Sequence, residues 1–196
     1  MEKKLKKLLK QNSGIITTKQ IEELGISRVY IKQFIEKGII EKVKRGIYCS
    51  TDIFDDEFYI FQMKNQSTIF SYNTAMYFHG ETERTPHEID VTVYSGYNIQ
   101  RFPKNIRVHY VKKENLNLGV TIIETPYGFK VKAYNLERIV CDILKGRNTG
   151  IDKEQTNKFI RSVLKSKKVN ISTIYEYAKK LKCVKQFEQV MEWIIW

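Results

Sequence analysis

The residues whose types and spacing suit chemistry lie on one short segment, residues 27–37, and that chemistry is the recognition of DNA bases. Gln33 can bond adenine bidentately, and Val29 can contact a thymine methyl group. Arg28 can reach either a guanine or a phosphate, and Lys32 adds a second positive charge nearby. If the segment is a helix, it therefore presents its first two turns to base edges in a major groove.

A helix-turn-helix must position this segment. Thr17 or Thr18 caps a helix that Gly25 ends, and Ser27 caps a further helix that Gly38 ends. The connection between the two helices is short and contains glycine, as the bend of that motif requires. The sequence therefore predicts two helices at an angle, of which the second would enter the groove.

The other side of the second helix must be buried. At 100° per residue, Ile31, Phe34 and Ile35 cluster on one side of the helical wheel, away from the polar residues named above. Because an amphipathic helix packs its apolar stripe inward, we expect all three side chains to face the hydrophobic core of the domain.

Two short apolar runs follow, at residues 39–43 and 47–49, and the turn Lys44-Arg45-Gly46 between them is typical of a β-hairpin. Helix, turn, helix and hairpin is the order of a winged helix-turn-helix, whose basic tip contacts phosphates or the minor groove. A winged helix can instead serve as a protein-interaction module, and hairpin lysines are usually just solvated, so that alternative stays open. The candidate DNA-binding residues are Thr17, Thr18, Lys19, Ser27, Arg28, Val29, Lys32, Gln33, Lys42, Lys44 and Arg45.

The positive charge of the chain, a formal net +12, is concentrated at its two ends. Residues 1–52 carry 12 Lys and Arg against 6 Asp and Glu, residues 53–145 carry 11 against 11, and residues 146–196 carry 11 against 5. A basic surface favours a polyanion partner, because lysine and arginine neutralise phosphates. Charge that serves solubility alone would give the same totals, so both interpretations stay open.

The rest of the chain predicts a larger α/β domain, which makes the fold class α+β. The acidic, turn-like stretch 52–56 places the boundary between a domain at 1–52 and a domain at 53–196. Alternating, β-branched segments predict a mixed or antiparallel sheet within about 67–132, and a C-terminal helical bundle follows within about 135–196. The predicted strands are 89–94, 106–111, 120–125 and 129–131, and the predicted later helices are 136–144, 153–166, 172–182 and 184–195.

A nuclease is the enzyme class that the sequence keeps open. Asp90, Glu124, Lys130 and Lys132 could be arranged as the acidic and lysine residues of such a site. A Pro-Tyr-Gly turn separates Glu124 from Lys130, and Asp90 can equally be a surface residue at a strand start. The three histidines have no spaced partner for a metal site, so we expect no enzyme activity, no metal and no cofactor.

The helices of the C-terminal part carry a second set of basic residues. One solvent face of this bundle should be strongly positive, and it could contact a polyanion or an acidic protein, or simply be solvated. Its candidate residues are Lys158, Arg161, Lys165, Lys168, Lys179 and Lys182.

The number and spacing of the cysteines indicate the cellular compartment. Cys49, Cys141 and Cys183 are few, odd in number and far apart, which favours free thiols over a disulfide frame. No apolar run is long enough to cross a bilayer. We therefore expect a cytoplasmic protein without a membrane partner.

In the order and spacing of its motifs the chain resembles the AbiEi family, the antitoxins of abortive-infection type IV toxin–antitoxin systems. The stretch TTKQIEELGISRVYIKQFIEKGIIEKVKRGIY is similar to the family's winged helix, which ends in a Gly-x-Tyr wing. Further on, SYNTAMYFHG, IRVHYV and YNLERIVCDIL resemble a helix, an Arg-x-His strand and a Leu-Glu-Arg-x-x-x-Asp helix of that family.

The resemblance implies a transcriptional autorepressor that binds inverted repeats in its own promoter as double-stranded DNA. It implies that Arg28, Lys32, Gln33, Lys44 and Arg45 belong to the docking helix and wing. It also implies that the C-terminal domain counteracts a nucleotidyltransferase toxin, generally without a stable complex, in phage defence. Inverted repeats can be filled by a dimer or by two cooperating monomers, so the oligomeric state stays open.

Overall fold

The computed structural model describes residues 1–12, 14–51, 56–82, 84–146, 153–166 and 168–195. The chain forms two compact units, Met1–Gln66 with Thr125–Phe129, and Ser67–Glu124 with Lys130–Trp196. The domain boundary that the sequence predicts at residue 52 falls in 52–55, outside the described residues.

The first unit contains four helices and a small sheet among its described residues. Its three strands lie in the order β1-β3-β2, and both neighbouring pairs are antiparallel. The predicted order of helix, turn, helix and hairpin is confirmed. In chain order the elements are α1 (Glu2–Gln11), β1 (Ile15–Thr17), α2 (Thr18–Glu23), α3 (Val29–Glu36), β2 (Ile40–Lys44), β3 (Ile47–Ser50) and α4 (Glu57–Lys64).

An apolar core under α3 fixes its orientation. Helices α1, α2 and α3 and all three strands contribute buried side chains to this core. The buried side of α3 therefore packs against one continuous apolar cluster. The members of this core are Leu5, Leu9, Ile16, Ile21, Ile26, Ile31, Phe34, Ile40 and Tyr48.

The start of α2 is a capping box on Thr17, one of the two residues, Thr17 and Thr18, that the sequence left open as its cap. The Thr17 hydroxyl accepts a hydrogen bond from the backbone N–H of Gln20 at 3.2 Å. The Gln20 side-chain carbonyl accepts one in return from the backbone N–H of Thr17 at 2.8 Å. Two N–H groups that a helix start leaves without partners are thereby satisfied.

The predicted cap at Ser27 is wrong. Helix α3 begins at Val29, and its cap position is Arg28, which has helical angles (φ −53°, ψ −28°) and no side-chain capping bond. The first N–H groups bond to nearby carbonyls instead, Tyr30 to Ser27 and Ile31 to Arg28, each at 3.0 Å. A tight first turn thus replaces the side-chain cap.

The second unit is a five-stranded mixed sheet with helices, which confirms the predicted sheet type and the C-terminal helices. The strand order is β6-β5-β4-β8-β7, with β5–β6 and β4–β8 parallel and the other two pairs antiparallel. Its elements are β4 (Ile69–Phe70), α5 (Tyr72–Phe78), β5 (Ile89–Tyr94), β6 (Ile106–Val111), β7 (Val120–Glu124), β8 (Lys130–Tyr134), α6 (Leu136–Leu144), α7 (Lys153–Lys165), α8 (Ile171–Leu181) and α9 (Val184–Ile195).

The helices of the second unit pack around α6, which is capped by the Asn135 side chain as predicted. The Cys141 thiol donates to the Ile174 carbonyl at 3.5 Å, and the Cys183 thiol donates to the Cys141 carbonyl at 3.7 Å. These two contacts join α6 to α8 and to the residue before α9. Across the described residues, no helix has the length and apolar character needed to span a membrane.

Candidate nucleic-acid interface

The polar face of α3 is open to solvent in the first unit. Val29 is 73% exposed, and the side chains of Lys32 and Gln33 are exposed beside it. On the opposite side, Ile31 and Phe34 are buried in the core. The described residues of this unit therefore leave the face available to a partner.

Ile35 does not join that core, and the prediction that it would is wrong, since its side chain is 36% exposed. At 100° per residue, Ile35 lies about 100° from Phe34 and about 40° from Ile31. The buried stripe of this short helix is centred between Ile31 and Phe34, which leaves Ile35 beyond its edge.

Ile35 instead lines a groove between α3 and the β2–β3 hairpin, with a volume of about 560 Å³. The apolar part of the lining comes from Ile31, Ile35 and Tyr48. Cations above apolar side chains suit a sugar–phosphate backbone, because the cations can pair with phosphates while sugars contact the apolar groups. The rest of the lining is Thr18, Arg28, Lys32, Lys42, Arg45 and Gly46.

The β2–β3 hairpin is fixed at its tip. Gly46 has a φ of +79°, a left-handed conformation that glycine adopts at little cost. Its carbonyl accepts a hydrogen bond from the backbone N–H of Thr18 at 2.9 Å, which ties the tip to the start of α2. Lys42 and Arg45 are exposed, whereas Lys44 is half-buried. The hairpin therefore holds its basic residues at a set position relative to the helices.

The DNA-binding candidates at the start of α2 differ in whether their side chains already form hydrogen bonds within the protein. The Thr17 hydroxyl is engaged in the capping box, where it also donates to the Gln20 side-chain carbonyl at 3.0 Å. The Thr18 side chain lines the groove. Lys19 is exposed and lies 3.8 Å from Glu23 in an ion pair along α2. Thr18 and Lys19 are thus the members of this group that can turn toward a ligand.

Two cations of the exposed α3 face form ion pairs that the sequence analysis did not predict. Arg28 forms a two-point ion pair with Glu22, and Lys32 lies 3.8 Å from Glu36. Hydrogen bonds from Arg28 lower the pKa of the Glu22 carboxyl, and the same contact raises the pKa of Arg28. The Lys32–Glu36 pair follows the i,i+4 rule and could have been predicted. The Glu22–Arg28 pair spans the turn between two helices, which no spacing rule covers.

The hairpin cations contrast with those of α3. Within the described ranges, Lys42, Lys44 and Arg45 form no ion pair with an acidic side chain. Their charges remain available to phosphates without first breaking an internal contact.

The second basic set lies on the C-terminal helices. Lys158, Arg161 and Lys165 are exposed and share one face of α7, because they stand three and four residues apart. Lys168 pairs with Glu81 at 2.9 Å. The remaining candidates, Lys179 and Lys182, are exposed in the last turn and at the C-cap of α8.

Two neighbouring apolar residues of α8 differ in burial. Tyr175 is 36% exposed, while Ile174 is fully buried. The ammonium of Lys179 lies 4.5 Å from the centre of the Tyr175 ring, in a cation–π contact. Lys167, which belongs to the same basic stretch of sequence, lies outside the described residues.

The residues considered for a nuclease do not come together. Asp90 is completely buried on β5, which excludes the surface position that the sequence kept open, and His109 Nε2 lies 2.7 Å from its Oδ1. Glu124 and Lys130 are cross-strand partners on β7 and β8. Strand β4 runs between β5 and β8, so it separates Asp90 from that pair.

Arg107, the other residue of the Arg-x-His strand, also approaches Asp90, at 3.6 Å, and it pairs with Glu88. Burial raises the pKa of the Asp90 carboxyl against the opposing effect of His109. The signal in the sequence was the pairing of two adjacent strands, IDVT and IRVH, whose parallel register sets Asp90 against Arg107. Among the described residues, no group of three or more His, Cys, Asp or Glu is placed to hold a metal ion.

Comparisons with known proteins give a family similarity for the first part of the chain. No curated protein matches it. A solved structure, the crystal structure of the RV2827C protein from Mycobacterium tuberculosis, is 11% identical over 92% of this chain and 74% of that chain, with a TM-score of 0.48. Residues 3–51 match the family model described as "Transcriptional regulator, AbiEi antitoxin". Residues 3–51, which contain the helix-turn-helix and the hairpin, are therefore similar to the AbiEi antitoxin family of transcriptional regulators.

Proposed function

We propose that this protein represses its own promoter by binding inverted repeats there, and that it is the antitoxin of a type IV system. In this proposal α3 enters the major groove, while the β2–β3 hairpin contacts the adjacent backbone. The C-terminal helices counteract a nucleotidyltransferase toxin in the cytoplasm. The family match of residues 3–51 supports the regulator half of the proposal directly, and the antitoxin half through the family's description.

One observation carries the DNA-binding half: the side of α3 opposite its buried stripe is exposed beside a groove lined by cations. Gln33 and Val29 stand on that side, in the first two turns of the helix. Because base edges are read by such turns and phosphates by flanking cations, one surface provides both kinds of contact.

Binding to the protein's own promoter tests this half. Fluorescence anisotropy with a promoter fragment and a shuffled fragment of equal length, over a series of KCl concentrations, should give tighter binding to the promoter. Log K should fall linearly with log salt, by about 0.9 for each phosphate neutralised. Charge reversal at Lys42, Lys44 and Arg45 should flatten that slope, because those contacts are lost. Equal affinity for the two fragments at every salt concentration would reject a sequence-specific repressor.

The antitoxin half rests on the exposed basic face of α7. Co-expression with the neighbouring nucleotidyltransferase gene, measured as colony-forming units, should show rescue by the wild-type protein. Charge reversal at Lys158, Arg161 and Lys165 should abolish rescue while promoter binding persists, because these residues lie in the second unit. The control reverses three exposed cations elsewhere in that unit, Lys104, Lys112 and Lys113. If both triple variants rescue equally, the α7 face has no role in antitoxicity.

A further inference from the structure

The guanidinium of Arg28 is held by Glu22 in a defined orientation. Arg28 Nε donates to Glu22 Oε1 at 2.5 Å, and Arg28 Nη2 donates to Glu22 Oε2 at 3.1 Å. Glu22 stands near the end of α2 and Arg28 at the cap position of α3, so the pair spans the turn of the helix-turn-helix. Two parallel hydrogen bonds fix both the position and the plane of the guanidinium.

This contact uses only one edge of the arginine. A guanidinium carries five N–H groups, and the pair with Glu22 takes the Nε–H and one N–H of Nη2. The outer edge, formed by Nη1 and the second N–H of Nη2, remains, and the Arg28 side chain is 71% exposed. Two parallel N–H donors on an outer edge match the O6 and N7 acceptors of guanine.

We propose that Glu22 is a specificity-determining positioning residue, which holds Arg28 so that its outer edge reads a guanine in the major groove. This inference rests on the proposed DNA binding and decides between the two partners, guanine and phosphate, that the sequence left open for Arg28. Glu22 acts through Arg28 and touches no base itself.

The negative charge of Glu22 favours guanine over phosphate as the partner of Arg28. The Glu22 side chain is 39% exposed, and its carboxylate lies against the guanidinium that a ligand would approach. A phosphate on Arg28 would place a second negative charge near that carboxylate, whereas guanine O6 and N7 are neutral acceptors. Holding the arginine in place before binding also reduces the side-chain entropy lost on binding. The acidic partner therefore weakens a backbone contact and favours a base contact.

The test uses full-length protein and double-stranded DNA selected from a random-sequence library. Selection with the wild-type protein first defines the preferred site and its G·C positions. Glu22→Gln and Arg28→Lys are then measured against that site and against every single-base change in it. Glu23→Gln is the matched control, because Glu23 carries the same charge on the same helix but pairs with Lys19. Thermal melting of each variant accompanies the binding measurement.

Both Glu22→Gln and Arg28→Lys should reduce discrimination at one G·C pair, by about tenfold for Arg28→Lys, since lysine lacks the second parallel donor. Affinity for random DNA should stay equal or rise in Glu22→Gln, as in Glu23→Gln, because each variant removes a negative charge. A G·C preference that survives in Arg28→Lys, or a Glu22→Gln profile identical to that of Glu23→Gln, overturns the inference and leaves the proposed function standing. A wild-type protein that selects no sequence overturns the proposed function itself.

Discussion

Arg138 is fully buried in the second unit, so polar groups inside the protein must meet its charge. Its Nε donates to Asp142 Oδ2 at 2.9 Å, and its Nη1 donates to the carbonyls of Asn115 and Leu118, each at 2.8 Å. The guanidinium also lies 4.2 Å from the centre of the Tyr134 ring. The Arg and Asp of the LERIVCDIL motif thus have a structural role, because they form a buried ion pair.

Asp142→Asn should therefore destabilise the protein strongly. Removing one partner of a buried ion pair leaves the other charge uncompensated, which costs about 3–5 kcal/mol in the free energy of unfolding. Urea denaturation followed by circular dichroism measures this, with Glu114→Gln as a control, since the Lys112–Glu114 pair is exposed. Equal denaturation midpoints for the two variants would show that the buried pair contributes nothing to stability.

Gln33 and Lys44 should give opposite signatures in DNA binding. Gln33→Ala should relax the preference at one base pair at a cost of about 1–3 kcal/mol, because it removes a bidentate donor–acceptor pair from a base edge. Lys44→Glu should weaken binding to promoter and shuffled DNA alike, because its contact is with the backbone. If the two variants lowered both affinities by the same factor, Gln33 would not contact a base.

Spacing rules predict the position of a single side chain only where its contacts are with residues nearby in sequence. Such rules left Thr17 and Thr18 as candidate caps, of which the structure has Thr17, and they predicted that Ile31 and Phe34 face inward, which is confirmed. The buried contacts of Asp90 were not predicted, because its partners His109 and Arg107 come from another strand. Ile35 was misjudged because a wheel gives the apolar side of a helix without the width of the stripe that is buried.

At the scale of elements, the β2–β3 hairpin depends on its tip. The strands pair with Lys42 opposite Tyr48 and Lys44 opposite Ile47, with an irregularity between the two lysines. The turn then closes through Gly46, whose carbonyl bonds to the first residue of α2. The position of the basic residues at the hairpin tip therefore depends on the left-handed conformation of Gly46.

Gly46→Ala should strain that position without a steric clash. A Cβ at residue 46 would meet the Thr18 hydroxyl oxygen at 3.6 Å, an ordinary contact, so the cost comes from the positive φ alone. We expect a loss of about 1–2 kcal/mol in the free energy of unfolding, with weaker DNA binding as the hairpin shifts. Gly46→Asn is the matched control, because asparagine tolerates this conformation better and should lose less. Equal stability of Gly46→Ala and the wild type would rule out the strain.

Element types and their order were predictable because hydrophobic periodicity is local. The order of strands in the sheet was not, since β4 pairs with both β5 and β8, far apart in the chain. Strand β8 extends to Tyr134, beyond the predicted 129–131, because the alternation of exposed lysines and buried apolar residues continues to Ala133.

At the scale of the whole molecule, the turn between β7 and β8 belongs to the first unit although its strands belong to the second. The Tyr59 and Phe129 rings stack at 4.6 Å, and the Thr125 hydroxyl donates to Asp56 at 2.5 Å. Asp56 and Thr125 are 69 residues apart, a separation that no local spacing rule covers. The concentration of positive charge in residues 1–52 and 146–196 was predictable, because it is counted directly from the sequence.

The central claim is that the exposed face of α3 enters a DNA major groove, and DNA cleavage from a tethered reagent tests it most directly. Val29→Cys provides the tether for an iron chelate on α3, and the native cysteines Cys49, Cys141 and Cys183 are buried and should remain unlabelled. Lys112→Cys in the second unit is the control.

With the protein's own promoter, the chelate at position 29 should cleave a few nucleotides within each half of an inverted repeat, on the major-groove side. The chelate at position 112 should not give that pattern. Cleavage that is absent, or that is spread equally over promoter and shuffled DNA from position 29, would contradict the account.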